Sequence, residues 1–386
     1  MTATSPRTAP TPTEGTSPVP AGGRDRYFDL LRALALFRVV LYHLVGWAWL
    51  PLLFPSMGVM FALAGSLMAR SLARPALQVI RGRIRRLLPP LWVLGAVAVT
   101  AMLVGGWRPG PSAVFWILPL SDPPYLAAGW AGDLAEPLWY LRAYLWFVLL
   151  TPLLLRCLRR LPWATLAAPL VLSFVLATGH LSTPERIDSA LTDFTTFGAC
   201  WILGMARQEG VLARLPRYVV PSLSPIVMAA GLWWAVRHGF PSGDGLDGIP
   251  PAAALWSLGA VMLLMHVSPS WESWPPKLRQ WDSVITLLNA RAVTVYLWHN
   301  VCILLAAALW DRMWDIDALA EHAPWLLESW VPVLLAAWGL IAVCVLLFGW
   351  AEDLAAKRRP RLWPNGQGSG RSHSARPAGE SKVSHR

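Results

Sequence analysis

Long apolar runs, separated by short polar stretches, set the pattern of this chain. A helix of about 20 mostly apolar residues can cross a hydrocarbon core. Such segments recur near 29–50, 54–72, 87–107, 138–157, 163–180, 191–207, 219–237, 250–267, 291–310 and 329–350. The pattern predicts an all-α fold, a polytopic transmembrane helical bundle of about ten helices. Pro and Gly punctuate the ends of the fifth to eighth segments, which blurs their limits. The polar stretches test the count independently, because Lys and Arg collect in cytoplasmic loops. With the N-terminus inside, ten crossings leave only Arg108, Arg186, Arg237 and Arg312 outside, and Arg32, Arg38 and Arg142 within spans. Every other one of the 33 Lys and Arg residues then falls in a cytoplasmic segment or at the cytoplasmic end of a span. One missed or invented crossing would scramble this alternation, so both termini are expected in the cytoplasm.

Composition removes the soluble alternatives. Apolar residues make up 55% of the chain and charged residues 14%, against about 25% charged in soluble proteins. The 24 Trp residues suit bilayer interfaces, where the ring is dry and the N–H is wet. The net charge of +11 lies at the edges of apolar runs and in the C-terminal tail, so it forms no continuous basic face and nucleic acid is not an expected partner. The four cysteines, Cys157, Cys200, Cys302 and Cys344, show no paired spacing for zinc or a disulfide framework. Residues 1–28 are rich in Pro, Thr, Ser and Ala and lack an apolar signal core, so they read as a disordered cytoplasmic tail. A transmembrane domain is expected over 29–350. Residues 351–386 read as a second disordered tail, whose basic start at Lys357, Arg358, Arg359 and Arg361 would lie along anionic headgroups. The external loops at 108–137 and 311–328 are the longest and both are acidic, and the first, with its Pro-Pro and Gly-Trp pairs, is expected to re-enter the membrane over the site. A plasma-membrane location follows, with membrane lipids as partners.

Ionisable residues inside a span are costly, so each is a functional candidate. Arg32 and His43 in the first span are eleven residues apart, about three helical turns, and share one face with ~16 Å between their Cα atoms. Asp29 lies one turn from Arg32 and can pair with it. His43 is either a reactive imidazole or a histidine bonded to a neighbouring helix. The run from Arg81 to Arg86, just before Pro89 and Pro90, is either a topology signal or a phosphate clamp, since Arg offers paired planar donors to phosphate oxygens. Glu136 and Tyr140, one turn apart at the external start of the fourth span, would orient the imidazole, contact an acceptor, or simply anchor the interface. His299 in the ninth span is a second polar wall or an interhelical hydrogen-bond partner.

Taken together, these residues resemble acyltransferase family 3, the bacterial integral membrane O-acyltransferases. Four elements in order carry the resemblance: Arg32 with His43; Gly58-Val-Met-Phe61-Ala-Leu-Ala-Gly65; Arg83-Ile-Arg-Arg86 before the paired prolines; and Leu138-Trp139-Tyr140-Leu141 with Tyr296-Leu297-Trp298-His299. The likeness runs from about residue 27 to 350. It departs at Ala64-Gly65-Ser66, where the family often has Ser-Gly-Phe, and before Tyr296, which lacks the usual Ser. The resemblance implies an acyl, commonly acetyl, transfer from acyl-coenzyme A to a hydroxyl of a carbohydrate, glycolipid or secreted metabolite of the cell envelope. It implies that Arg83, Arg86 and Arg32 bind the donor and that a neutral His43 takes the hydroxyl proton. Acyl-coenzyme A would be a co-substrate, and neither a resident cofactor nor a metal is expected. A transporter or flippase for a glycolipid or small molecule is the alternative. Transporters often pair broken helices in their two halves, a pattern not visible here.

Overall fold

The computed structural model describes residues 25–179, 183–240, 245–269 and 271–362, and among them there are helices and turns but no strand. Most of both expected tails, 1–24 and 363–386, lies outside the described residues. Each expected span coincides with a helix: α1 (Arg26–Val45), α2 (Ser56–Ser71), α3 (Ala76–Val104), α4 (Leu138–Arg160), α5 (Pro162–Ala177), α6 (Glu185–Gln208), α7 (Val219–Arg237), α8 (Pro250–Val267), α9 (Ala292–Asp311) and α10 (Trp330–Phe348).

Seven of these, α2, α3, α4, α7, α8, α9 and α10, belong to helical stretches long and apolar enough to cross a membrane. The other three fall short for physical reasons. α5 is apolar but has only 16 residues. α1 and α6 have 20 and 24 residues but carry charges, among them Asp29, Arg32 and Arg38 in the first and Asp193 in the second. The bundle buries part of that charge in pairs. Arg142 of α4 is 4% exposed and reaches Asp193 of α6 with Nη2 at 2.7 Å and Nε at 3.1 Å, while its Nη1 donates to Asp122 of the loop before α4. Satisfying a guanidinium this fully is what makes its burial tolerable.

Helix ends depart from the apolar runs where local chemistry decides. Gly46 sits at φ 66 and returns its N–H to the Tyr42 carbonyl, closing α1 at Val45; a left-handed cap of this kind favours glycine. His43 is therefore in the last turn of its helix. α3 starts at Ala76, well before the expected 87, so the arginine run is helical and Pro89 and Pro90 lie inside a continuous helix.

Small residues set the closest helix contact. Gly65 of α2 packs against the Trp201 carbonyl, and Gly204 of α6 against the Ala62 carbonyl, so closely that a Cβ at either site would overlap the backbone. Such approach is how helices associate where no hydrophobic gain separates protein from lipid. Beside it an aromatic core locks α2, α4 and α6: the Phe61 and Phe147 rings are 5.1 Å apart, and Phe147 stacks on Trp201 at 5.1 Å. The Trp201 indole donates to Thr151 at 3.1 Å, satisfying its one polar atom.

Candidate active site

The arginine-rich end of the bundle opens into a cavity of about 390 Å³. Arg32 of α1 and Arg83 and Arg86 of α3 all line it, together with Tyr140 and Tyr144 of α4 and Tyr296 of α9. Arg83 and Arg86 are three residues apart on a helix and so share a face. Arg83 is held by Ser71 Oγ at 3.1 Å and the Leu67 carbonyl at 3.3 Å. Arg32 pairs with Asp29 at 4.0 Å and donates to Asn289 Oδ1 at 2.9 Å, and Asn289 in turn donates to the Asp29 carbonyl at 2.8 Å. Arg38 takes no part; its guanidinium lies over the Tyr42 ring at 4.7 Å. A wider basin of about 990 Å³ adjoins the cavity, shares Arg83 and Arg86, and adds Arg74, Arg81, Arg85 and Lys357.

His43 does not line this cavity, although it shares a helical face with Arg32. A layer of rings stands between them. Tyr140 and Tyr296 are 4.9 Å apart, Tyr296 is 5.5 Å from His299, and His299 is 4.9 Å from His43 in an edge-to-face arrangement. Tyr140 is therefore a wall of the inner cavity. His43 is less enclosed than its apolar run implies, with a quarter of its side chain exposed.

In the loop before α4, the short helix Gly129–Ala135 delivers Glu136 to His43. Glu136 Oε1 lies 3.6 Å from His43 Nδ1, within ion-pair range, and Oε2 accepts from Asn300 Nδ2 at 2.7 Å. His299 Nδ1 lies 2.5 Å from the Tyr296 carbonyl, which can only accept, so Nδ1 carries the proton and Nε2 is left as an acceptor. That Nε2 is buried without a hydrogen-bond partner among the described residues. On the far side, Glu136 opens into a second pocket of about 420 Å³ with Asp122, Tyr125, Asp133 and Trp139. The imidazole pair thus stands between two recesses, one cationic and one acidic and aromatic.

Sequence reasoning missed Asn300, although it adjoins His299, and Asn289, a lone polar residue ahead of an apolar run. It also missed the far end of the chain. The helix Trp350–Ala355 follows α10, and Glu352, Asp353 and Arg358 line the inner cavity. The expected tail is structured here, because the buried Arg291 draws it in by bonding Asp353 at 2.7 Å and the Gly349 carbonyl at 2.8 Å. Glu352 accepts from the N–H and hydroxyl of Thr294, both at 2.6 Å, and burial pushes its carboxyl up to about 7.

The acyltransferase 3 family model, described as an acyltransferase domain, matches residues 25–349. No curated protein and no solved structure matches the chain.

Proposed function

The chain belongs to the acyltransferase 3 family and is a multi-pass membrane protein, and from that premise we propose that it moves an acyl group, most simply acetyl, from acyl-coenzyme A to a hydroxyl. The acceptor is a carbohydrate, glycolipid or secreted metabolite of the cell envelope. In this reading ten helices cross the plasma membrane with both termini in the cytoplasm, so the arginine-lined cavity opens to the cytosolic donor.

One observation carries the proposal: Arg32 of one helix meets Arg83 and Arg86 of another on a single cavity that runs inward to Tyr140 and Tyr296, with His299 and His43 behind them. Guanidinium groups pair with phosphate oxygens in a fixed geometry, so the phosphates sit among these arginines and the adjoining basin. The narrower cavity takes the pantetheine arm. The acceptor approaches His43 through the pocket flanked by Glu136, Asp122 and Trp139, and its attack needs the thioester to pass the two tyrosines.

In the transfer step, neutral His43 removes the acceptor's hydroxyl proton while that oxygen bonds to the acyl carbonyl carbon. The carbon–sulfur bond then breaks, coenzyme A leaves as a thiolate, and the imidazolium returns the proton to sulfur. Glu136 faces the imidazolium with opposite charge while it exists.

The test is acyl transfer by His43→Ala and acyl-coenzyme A binding by Arg83→Ala with Arg86→Ala. The first variant should lose transfer while inserting normally, and full activity in it ends the catalytic assignment. The second should bind donor weakly; unchanged affinity means that the arginines serve topology alone. Mass spectrometry of envelope glycans and exported metabolites from a strain lacking the gene identifies the acceptor by its missing acyl group.

A further inference from the structure

The family match stops at residue 349, yet the inner cavity does not. Glu352, Asp353, Ala356 and Arg358, all past that limit, form part of its wall. Two residues past helix Trp350–Ala355, Lys357 turns the chain with φ 56, and Arg358 returns its N–H to the Asp353 carbonyl at 2.8 Å. The segment beyond is clasped. Arg361 donates its N–H to Asp353 Oδ2 at 3.0 Å, and Arg291 Nη2 reaches both that carboxylate at 2.7 Å and the Arg361 carbonyl at 2.5 Å. Arg291 is 1% exposed, so the clasp is rooted in the bundle. Arg85 of α3 adds a contact to the Ala355 carbonyl at 3.4 Å, tying the segment to the helix that carries Arg83 and Arg86.

A solvated basic tail has no reason to be tied to the bundle at three points by Arg291 and Arg85. The clasp holds Arg358 on the cavity, close enough to Arg86 for the two like charges to repel. Like cations brought together on a cavity wall, where Asp353 is already engaged by Arg291 and the Arg361 N–H, lower the energy of an anion bound between them. We infer that residues 350–362 form a wall of the donor site added outside the family domain, with Arg358 a fourth guanidinium that binds the phosphates of the donor. This rests on the donor reading above. Asp353 positions the wall, since one carboxylate receives both Arg291 and the Arg361 N–H.

The experiment compares two donors, acetyl-coenzyme A and S-acetyl-pantetheine, which lacks the phosphates, with the full-length protein in nanodiscs. Arg358→Ala should raise KM for acetyl-coenzyme A about tenfold, the loss of one charge-assisted contact worth roughly 1.5 kcal/mol, and leave KM for acetyl-pantetheine unchanged. Arg358→Lys should recover part of the loss, and Arg291→Met, which releases the clasp, should reproduce it. An equal rise for both donors makes Arg358 structural and overturns the inference, as does an unchanged KM for acetyl-coenzyme A in Arg358→Ala. Failure of the donor reading itself is distinct: there, Arg83→Ala with Arg86→Ala also binds acetyl-coenzyme A as tightly as the parent.

Discussion

The carboxylate of Glu136 is the charge nearest to the proposed base, and replacing it by Gln removes that charge with little change of shape. Its Oε1 is 3.6 Å from His43 Nδ1. At that separation a carboxylate and an imidazolium attract by about 1 kcal/mol in water and by about 4–5 kcal/mol at an effective dielectric of ~20. The side chains are 25% and 46% exposed, so solvent screening places the pair toward the lower limit. An attraction of roughly 1–2 kcal/mol that exists only once His43 holds the proton lowers the barrier and leaves ground-state binding untouched. Glu136→Gln should therefore reduce kcat about tenfold, with KM for either substrate within about twofold. Asn300 can still donate to the Gln amide oxygen, so the loop keeps its tie to α9. The assay is steady-state acyl transfer in nanodiscs, varying donor and acceptor separately. A parental kcat would show that the carboxylate does not act on a developing imidazolium. A change confined to the acceptor's KM would instead make Glu136 an acceptor contact.

Three further expectations follow from packing and charge. Gly204→Ala drives a methyl group into the Ala62 carbonyl and should separate α2 from α6, lowering thermal stability in detergent by an amount near the upper end of the ~1–3 kcal/mol typical of overpacking; a melting temperature equal to the parent's would mean that the contact yields freely. Arg142→Met leaves Asp193 in the bundle without its guanidinium and should cost ~3–5 kcal/mol, whereas Arg142→Met with Asp193→Leu should recover most of it; equal melting of the single and double variants counts against the pair. Glu352 should make donor binding pH-dependent, because its carboxyl titrates near 7 beside Arg32, Arg83, Arg86, Arg358 and Asp353, with Arg291 and Thr294 behind it. Proton loss as pH rises through 7 adds a negative charge to a phosphate site, so KM for acyl-coenzyme A should climb between pH 6 and 8, and in Glu352→Gln that climb should shrink; identical profiles would remove Glu352 from the site.

The helices were legible in sequence because burying apolar side chains in lipid or protein needs only composition, and composition is local. Arg83 and Arg86 were legible for the same reason, since i,i+3 spacing fixes a shared face wherever the helix lies. Partnerships across the chain were not. Glu136 meets His43 and Asn300, and Arg32 meets Asn289, over separations of about a hundred residues or more. No periodicity encodes which helices become neighbours. The C-terminal wall is the sharpest case: the stretch 351–362 reads as a polar tail because its order comes from one buried residue, Arg291, lying some sixty positions earlier. The limit of α1 also escaped hydropathy, since Gly46 ends the helix inside an apolar stretch by conformation alone.

α1 and α6, too charged for apolar burial alone to seat them, are held in the bundle by polar contacts. A guanidinium or carboxylate in a spanning segment persists only if something offsets its desolvation. α1 carries Arg32 and His43, and the polar groups it brings are met by Asn289 and Glu136. α6 carries Asp193, whose partner Arg142 lies on α4 between Tyr140 and Tyr144, the residues that wall the inner cavity. The charged pair therefore fixes the rotation of α4 about its axis. Apolar contacts leave that rotation loosely set, because neighbouring rotations of an apolar helix bury nearly the same area. A directional ion pair does not have this freedom. The low hydropathy of α1 and α6 is thus a positive signal, marking where polar geometry rather than burial decides how the bundle is assembled.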